Sequence, residues 1–244
     1  MVEFLQTQSG RRIAYHQTPG QGAGIVFLGG FVSDMQGTKA VHLERFAVAQ
    51  GRPFLRFDYS GHGQSSGSFT DGCIGDWAED ASAALALTSG RQVLVGSSMG
   101  GWIALLLARR HPDRIKGLVT VAAAPDFTED GFWHSFTADQ RSTVMEQGHL
   151  TLPSDYSPEG YRITRRLIED GRDHLVLRAP LPLPFPTRFL QGADDAEVSA
   201  ATARRLFDHA AGDDIHLTLV KGADHRFSSP RALALIEQAI LHMS

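Results

Sequence analysis

The chain has 244 residues, 42% hydrophobic and 20% charged, with a formal net charge of −4. These values suit a globular α/β protein with a substantial core, exclude a disordered chain, and argue against nucleic acid as the main partner. Cys73 is the sole cysteine, which excludes an intramolecular disulfide and suggests a reducing compartment. The opening residues lack a basic segment followed by a long apolar run, and the longest apolar run, Trp102 to Ala108, is too short for a bilayer. A cytoplasmic protein without a membrane span is expected.

Taken in order, residues 2–7 and 12–18 read as two strands of an antiparallel hairpin turned at Ser9-Gly10. Gly24 to Leu28 is a buried strand that runs into Gly29-Gly30. Residues 38–50 place Val41, Phe46 and Val48 against a charged face, a helix closed by Gly51. Pro53 to Tyr59 is a strand before the turn-rich Gly61-His62-Gly63-Gln64-Ser65-Ser66-Gly67, and a helix follows from about Ile74 to Thr88. Val93 to Val95 forms a buried strand. After Met99, the spacing of Trp102, Ile103, Leu106 and Leu107 predicts a helix. Gly117 to Ala123 is a strand. The end of the chain reads as a strand at 186–192, a helix at 199–211, a strand at 215–221 and a helix at 230–242. This alternation predicts a mostly parallel, doubly wound, eight-stranded sheet with helices on both faces.

Pro125 to Phe185 departs from that rhythm. It contains helical patches and no strong strand, with Phe127, Phe132, Trp133 and Phe136 early and Tyr161, Ile163 and Leu167 later. So long an excursion between core strands predicts a helical lid of about 126–185, set into a single domain spanning 1–244. The lid aromatics either contact substrate or form the lid's own small core.

Between the buried strand and the next helix lies Gly96-Ser97-Ser98-Met99-Gly100, a G-x-S-x-G in the strand–turn–helix setting that this motif requires. Ser98 is the candidate nucleophile, because Ser97 occupies a variable position. A serine hydroxyl is weakly nucleophilic at neutral pH and needs a base, an acid to orient the base, and donors for the oxyanion. On this architecture the partners follow in the order serine, acid, histidine. Gly192 leads into Ala193-Asp194-Asp195-Ala196-Glu197-Val198, and Lys221 leads into Gly222-Ala223-Asp224-His225, both just past strand ends. Of eleven histidines, His225 is therefore the expected base and His62 its nearest rival. Asp195 is the expected acid, with Asp194 and Asp126 as alternatives. The Met99 and Phe31 amides are the expected oxyanion donors, the latter from the loop after Gly29-Gly30. No H-E-x-x-H, paired C-x-x-C, phosphate-binding loop or dinucleotide fingerprint is present, so neither a metal nor a cofactor is expected.

Gly29-Gly30-Phe31, Asp58 through Ser65, Gly96 through Gly100, Asp195 and His225 resemble the α/β-hydrolase superfamily, and they occur in its order. Finer stretches are similar to the mitochondrial palmitoyl-protein thioesterases of that superfamily, also described as acyl-glucuronide esterases. These are Met35 to Ala40, Arg56 to Gly61, Val95 to Trp102, Leu152 to Ser157 and Asp224 to Arg226. The resemblance implies a Ser98–Asp195–His225 triad that cleaves esters or thioesters of acyl substrates, acylated proteins among them, through an acyl-serine. Two features depart from the family: no transit sequence is visible, and Ser199 stands where proline is common. The same triad could serve peptide cleavage, carbon–carbon bond hydrolysis or perhydrolysis, and a non-catalytic binding protein is the other alternative.

Overall fold

A computed structural model describes residues 2–154 and 157–243. Strands β1 (Glu3–Gln6) and β2 (Arg12–Thr18) form the antiparallel edge. They are followed by β3 (Ile25–Leu28), helix α1 (Thr38–Ala49), β4 (Phe54–Phe57), α2 (Ile74–Ala86), β5 (Gln92–Ser97), α3 (Met99–Arg110) and β6 (Ile115–Val121). An insertion then carries a π-helical turn at Phe127–Trp133, α4 (Ala138–Gln147), a hairpin of β7 (His149–Ser154) and β8 (Ser157–Thr164), α5 (Arg165–Asp173) and the short β9 (Leu181–Pro182). The chain closes with β10 (Thr187–Gly192), α6 (Ala200–His209), the short β11 (Ala210–Ala211), β12 (Ile215–Val220) and α7 (Pro230–Leu241).

The main sheet has eight strands in the order β1-β2-β4-β3-β5-β6-β10-β12, parallel from β4 onward. All of β5 is buried, as a central parallel strand covered on both faces must be. Its side chains alternate between the two cores. Leu94 packs with Trp77 of α2 and Ile103 and Leu106 of α3 on one face, whereas Val93 and Val95 pack with Leu43 of α1 and Ile236 and Ile240 of α7 on the other. Because these strands run parallel, the loops that follow β3, β5, β10 and β12 all leave at the same carboxyl-terminal end of the sheet.

The insertion contains a strand pair that its sequence spacing hides. Ile163 and Leu167 have the i, i+4 spacing of one helix face, but β8 ends at Thr164 and Leu167 belongs to α5. Tyr161 and Ile163 therefore alternate at strand period, and Leu150 pairs with Ile163 across the hairpin. The Thr164 hydroxyl accepts from the Leu167 amide at 3.1 Å, capping the switch from strand to helix. The helical character expected over 126–185 is thus corrected to a mixture of helices and a hairpin. Asp155 and Tyr156, within the Leu152–Ser157 stretch that carried part of the resemblance, lie outside the described residues.

Candidate active site

Ser98 sits between β5 and α3 with φ +55° and ψ −119°, a conformation that side-chain-bearing residues rarely adopt. Backbone bonds hold it there. The Ser98 amide donates to the Val121 carbonyl at 2.9 Å, and the Ser98 carbonyl accepts from Gly101 at 2.9 Å and Ala124 at 3.1 Å. The flanking glycines are steric necessities. A Cβ at Gly96 would lie 2.3 Å from the Gly100 carbonyl oxygen, and one at Gly100 would lie 2.1 Å from that of Leu28.

The loops after β10 and β12 meet this turn. His225 Nε2 is 3.1 Å from Ser98 Oγ, and His225 Nδ1 is 2.9 Å from Asp195 Oδ2. The structure thus brings together the three residues singled out in the sequence. The Asp195 side chain is fully buried, with all its hydrogen bonds directed. Oδ1 accepts from the amides of Glu197 at 2.9 Å and Val198 at 2.8 Å, while Oδ2 accepts from His225 and from Gln191 Nε2 at 2.9 Å. Burial alone pushes this carboxyl's pKa up. The His225 bond and the Val198 and Glu197 amides outweigh that effect and hold it below the usual range, which keeps it charged.

The alternative acids stand elsewhere. Asp194 is exposed. Asp126 is fully buried but turned into the insertion, accepting from the Val176 amide at 2.8 Å, the Leu177 amide at 3.0 Å and Arg178 Nη1 at 2.7 Å. His62, the alternative base, is bonded to backbone atoms of Ser60 and Val32.

Met99 is the first residue of α3, so its amide has no intrahelical acceptor. Among the described residues, the Phe31 amide enters no turn or loop backbone hydrogen bond. Gly30 lies beside Ser98, with a Cβ built there 3.4 Å from the Ser98 Cβ. The Phe31 ring contacts Phe69, Trp77, Phe127, Phe132 and Tyr161 at centroid distances of 4.8–6.1 Å, mostly edge to face.

Ser98 and His225 open into a cavity of about 700 Å³ with two unlike walls. Phe127, Phe132 and Tyr161 from the insertion, with Phe31, make the apolar side. Asp34, Thr38, Lys39 and Glu197 line the other. Lys39 Nζ donates to the Arg226 carbonyl at 2.5 Å, tying α1 to the His225 loop, and burial pushes the Lys39 amine down to about 8. Glu197 Oε2 lies 3.6 Å from His225 Nε2, on the side of the imidazole that faces Ser98. Among the described residues, no group of three or more His, Cys, Asp or Glu is arranged to hold a metal ion.

Sequence reasoning missed Gln191, Glu197 and Lys39. For Gln191 a signal existed, since it ends the strand that delivers the acid. Glu197 also had one, two residues past the acid in the same loop, whereas Lys39 reaches the site from α1 with no motif to mark it.

This geometry on this sheet defines a class, and comparison with known proteins agrees with it. Residues 27–156 match the alpha/beta hydrolase fold family, and the chain belongs to it. Within that family, it is 34% identical over 237 residues to the rat "Palmitoyl-protein thioesterase ABHD10, mitochondrial", covering 96% of this chain and 80% of that protein. The human protein of the same name is 33% identical over 241 residues, 98% of this chain and 78% of that one. Among solved structures, mouse ABHD10 superposes with a TM-score of 0.92 at 33% identity, covering 100% of this chain and 98% of that one. A putative hydrolase from Agrobacterium vitis S4 superposes with a TM-score of 0.95 at 38% identity, with the same coverage.

These relatives overturn the cytoplasmic expectation. The curated proteins that align with nearly the whole chain are named as mitochondrial. A lone thiol marks a reducing milieu and does not distinguish one such compartment from another. Among the described residues, no helix is long and apolar enough to cross a membrane.

Proposed function

We propose that this protein is a serine hydrolase that cleaves carboxylic esters and thioesters of acyl substrates, with Ser98 as nucleophile, His225 as base and Asp195 as the acid that orients it. The observation that carries the reading is the continuous bond path from Asp195 Oδ2 through both nitrogens of His225 to Ser98 Oγ. Likeness to thioesterases over nearly the full chain supports the substrate class.

In the first step Ser98 Oγ attacks the acyl carbonyl while His225 Nε2 takes its proton. Asp195 stabilises the imidazolium, and the Met99 and Phe31 amides receive the developing oxyanion. Collapse expels the alcohol or thiol, which takes the proton from His225. Water, deprotonated by the same nitrogen, then attacks the acyl-serine and releases the carboxylic acid and Ser98. One oxyanion donor of this kind is worth about 3 kcal/mol of barrier.

In this reading 1–244 is one domain, and the insertion of about 126–185 is the lid. Its aromatics hold the acyl group, and the leaving group lies toward Lys39 and Glu197. An acylated protein, the substrate in the relatives' name, is a candidate beside small acyl esters and thioesters.

Ser98→Ala is expected to lower turnover of p-nitrophenyl acyl esters by at least about 10³-fold, and to abolish fluorophosphonate labelling, without loss of fold. His225→Gln should be about as damaging. Retention of most activity by either variant would sink the assignment. A panel of short and long esters and thioesters, an S-acylated peptide and an amide then identifies the preferred bond.

A further inference from the structure

His62 takes no part in the bond path just described, yet it is 5% exposed and its ring nitrogens have defined roles. Nδ1 lies 3.1 Å from the Ser60 carbonyl oxygen, and Nε2 lies 3.3 Å from the Val32 backbone nitrogen. A carbonyl only accepts and an amide only donates, so one tautomer satisfies both contacts: neutral imidazole, with its proton on Nδ1 and a lone pair on Nε2. Burial pushes the pKa of His62 below the ordinary range, against the opposing pull of the Ser60 carbonyl, so the lone pair is available at neutral pH.

The amide that His62 accepts from belongs to an unusual residue. Val32 is β-branched, yet it has φ +56°, and the residue is 46% exposed. Such a conformation is disfavoured for a branched side chain, and an exposed one supplies little packing to offset that. Val32 directly follows Phe31. The Gly30 carbonyl closes the turn by accepting from the Ser33 amide at 3.3 Å and the Ser33 hydroxyl at 2.8 Å.

His62 is itself rigidly mounted. The Ser60 carbonyl also accepts from Trp77 Nε1 at 3.0 Å, and Ser60 donates to buried Asp80 Oδ2 through its amide at 2.9 Å and its hydroxyl at 2.7 Å. Arg11 Nε donates to the other Asp80 oxygen at 2.8 Å. The His62 ring packs edge to face on Phe69 and Trp77, each with a centroid distance of 5.2 Å, and these two rings also contact Phe31.

We propose that His62 is a positioning residue for the oxyanion hole: its Nε2 holds the Val32 amide, fixes the strained turn, and thereby aims the neighbouring Phe31 amide toward the carbonyl on Ser98. The inference rests on the reading of Phe31 as an oxyanion donor. His62 acts through that loop and does not touch substrate.

The test compares His62→Asn with His62→Gln. Asparagine retains a polar group near Nδ1 and has nothing at the Nε2 position. Glutamine can place its Oε1 there and accept from Val32. His62→Asn is expected to lower kcat for p-nitrophenyl esters by about 10- to 100-fold with KM within about twofold, short of the full loss of an oxyanion donor. It should also weaken inhibition by an alkyl trifluoromethyl ketone, whose adduct with Ser98 is an oxyanion, by a similar factor. His62→Gln should recover most of both. Thermal melts check the fold, and if His62→Asn does not fold, His62→Phe, which keeps ring packing against Phe69 and Trp77, is read in its place.

Equal impairment of the Asn and Gln variants, or ketone affinity unchanged while kcat falls, would overturn the proposal. Full activity in Ser98→Ala would instead overturn the reading of the site on which it rests.

Discussion

The two sides of the cavity are built by different means. The chemistry-bearing side comes from the sheet, where the Ser98 turn is set by glycine contacts and backbone bonds to β6, and Asp195 by four directed hydrogen bonds. The aromatic wall comes from the insertion together with Phe31 and consists of rings meeting edge to face, and ion pairs such as Arg178–Asp126 and Arg172–Glu129 tie the insertion together internally. Backbone bonds tolerate little displacement, whereas ring contacts can slide and repack. The first side is thus suited to fixing reacting atoms. The second is suited to varying what is bound.

The sharpest challenge to this division is a pair of adjacent aspartates. Asp195→Asn should lower kcat by about 10²- to 10⁴-fold, because the amide cannot stabilise the imidazolium. Asp194→Asn, on an exposed neighbour, should stay within about twofold. Steady-state kinetics on one ester decides, and the reverse order would reassign the acid.

A smaller effect is expected from the ring wall. Phe127→Ala and Tyr161→Ala should change the ratio of kcat/KM for long over short acyl esters by about 10-fold, since removing an aromatic surface changes apolar contact with the chain. The kcat for the shortest ester should remain within about threefold. A large fall in that kcat would show that the insertion also shapes the reacting geometry.

A loss of stability rather than of turnover is expected from Asp126→Asn. Its buried carboxylate serves two amides and Arg178, so the variant should lose about 1–3 kcal/mol of stability in urea unfolding while turnover stays within about threefold. A stability loss of that size would mark Asp126 as the clamp between the two ends of the insertion. No loss would mean that its ion pairs are redundant.

The difference between the two sides also governs what can be read without coordinates. Ser98 was legible because two glycines are needed at fixed offsets, and Asp195 and His225 because parallel topology places them in loops past β10 and β12. The insertion was less legible. Ile163 and Leu167 fit a helix by spacing, although a capping threonine divides a strand from a helix between them. His62 reads in the sequence as a rival base, but its hydrogen-bond partners are backbone atoms of Ser60 and Val32, and Val32 is 30 residues away in sequence. Partners of that kind leave no side-chain signature in a motif.

Cys73, the chain's only cysteine, is buried before α2. Burial pushes its thiol up to about 12, and Sγ lies 3.2 Å from Asp76 Oδ2. Such a group is almost entirely un-ionised near neutral pH and screened from reagents. The native protein therefore offers a silent background for thiol chemistry. A cysteine placed at exposed Gln147, at the end of α4, would be the one reactive thiol, and a fluorophore attached there would report whether the aromatic wall moves as an acyl chain enters.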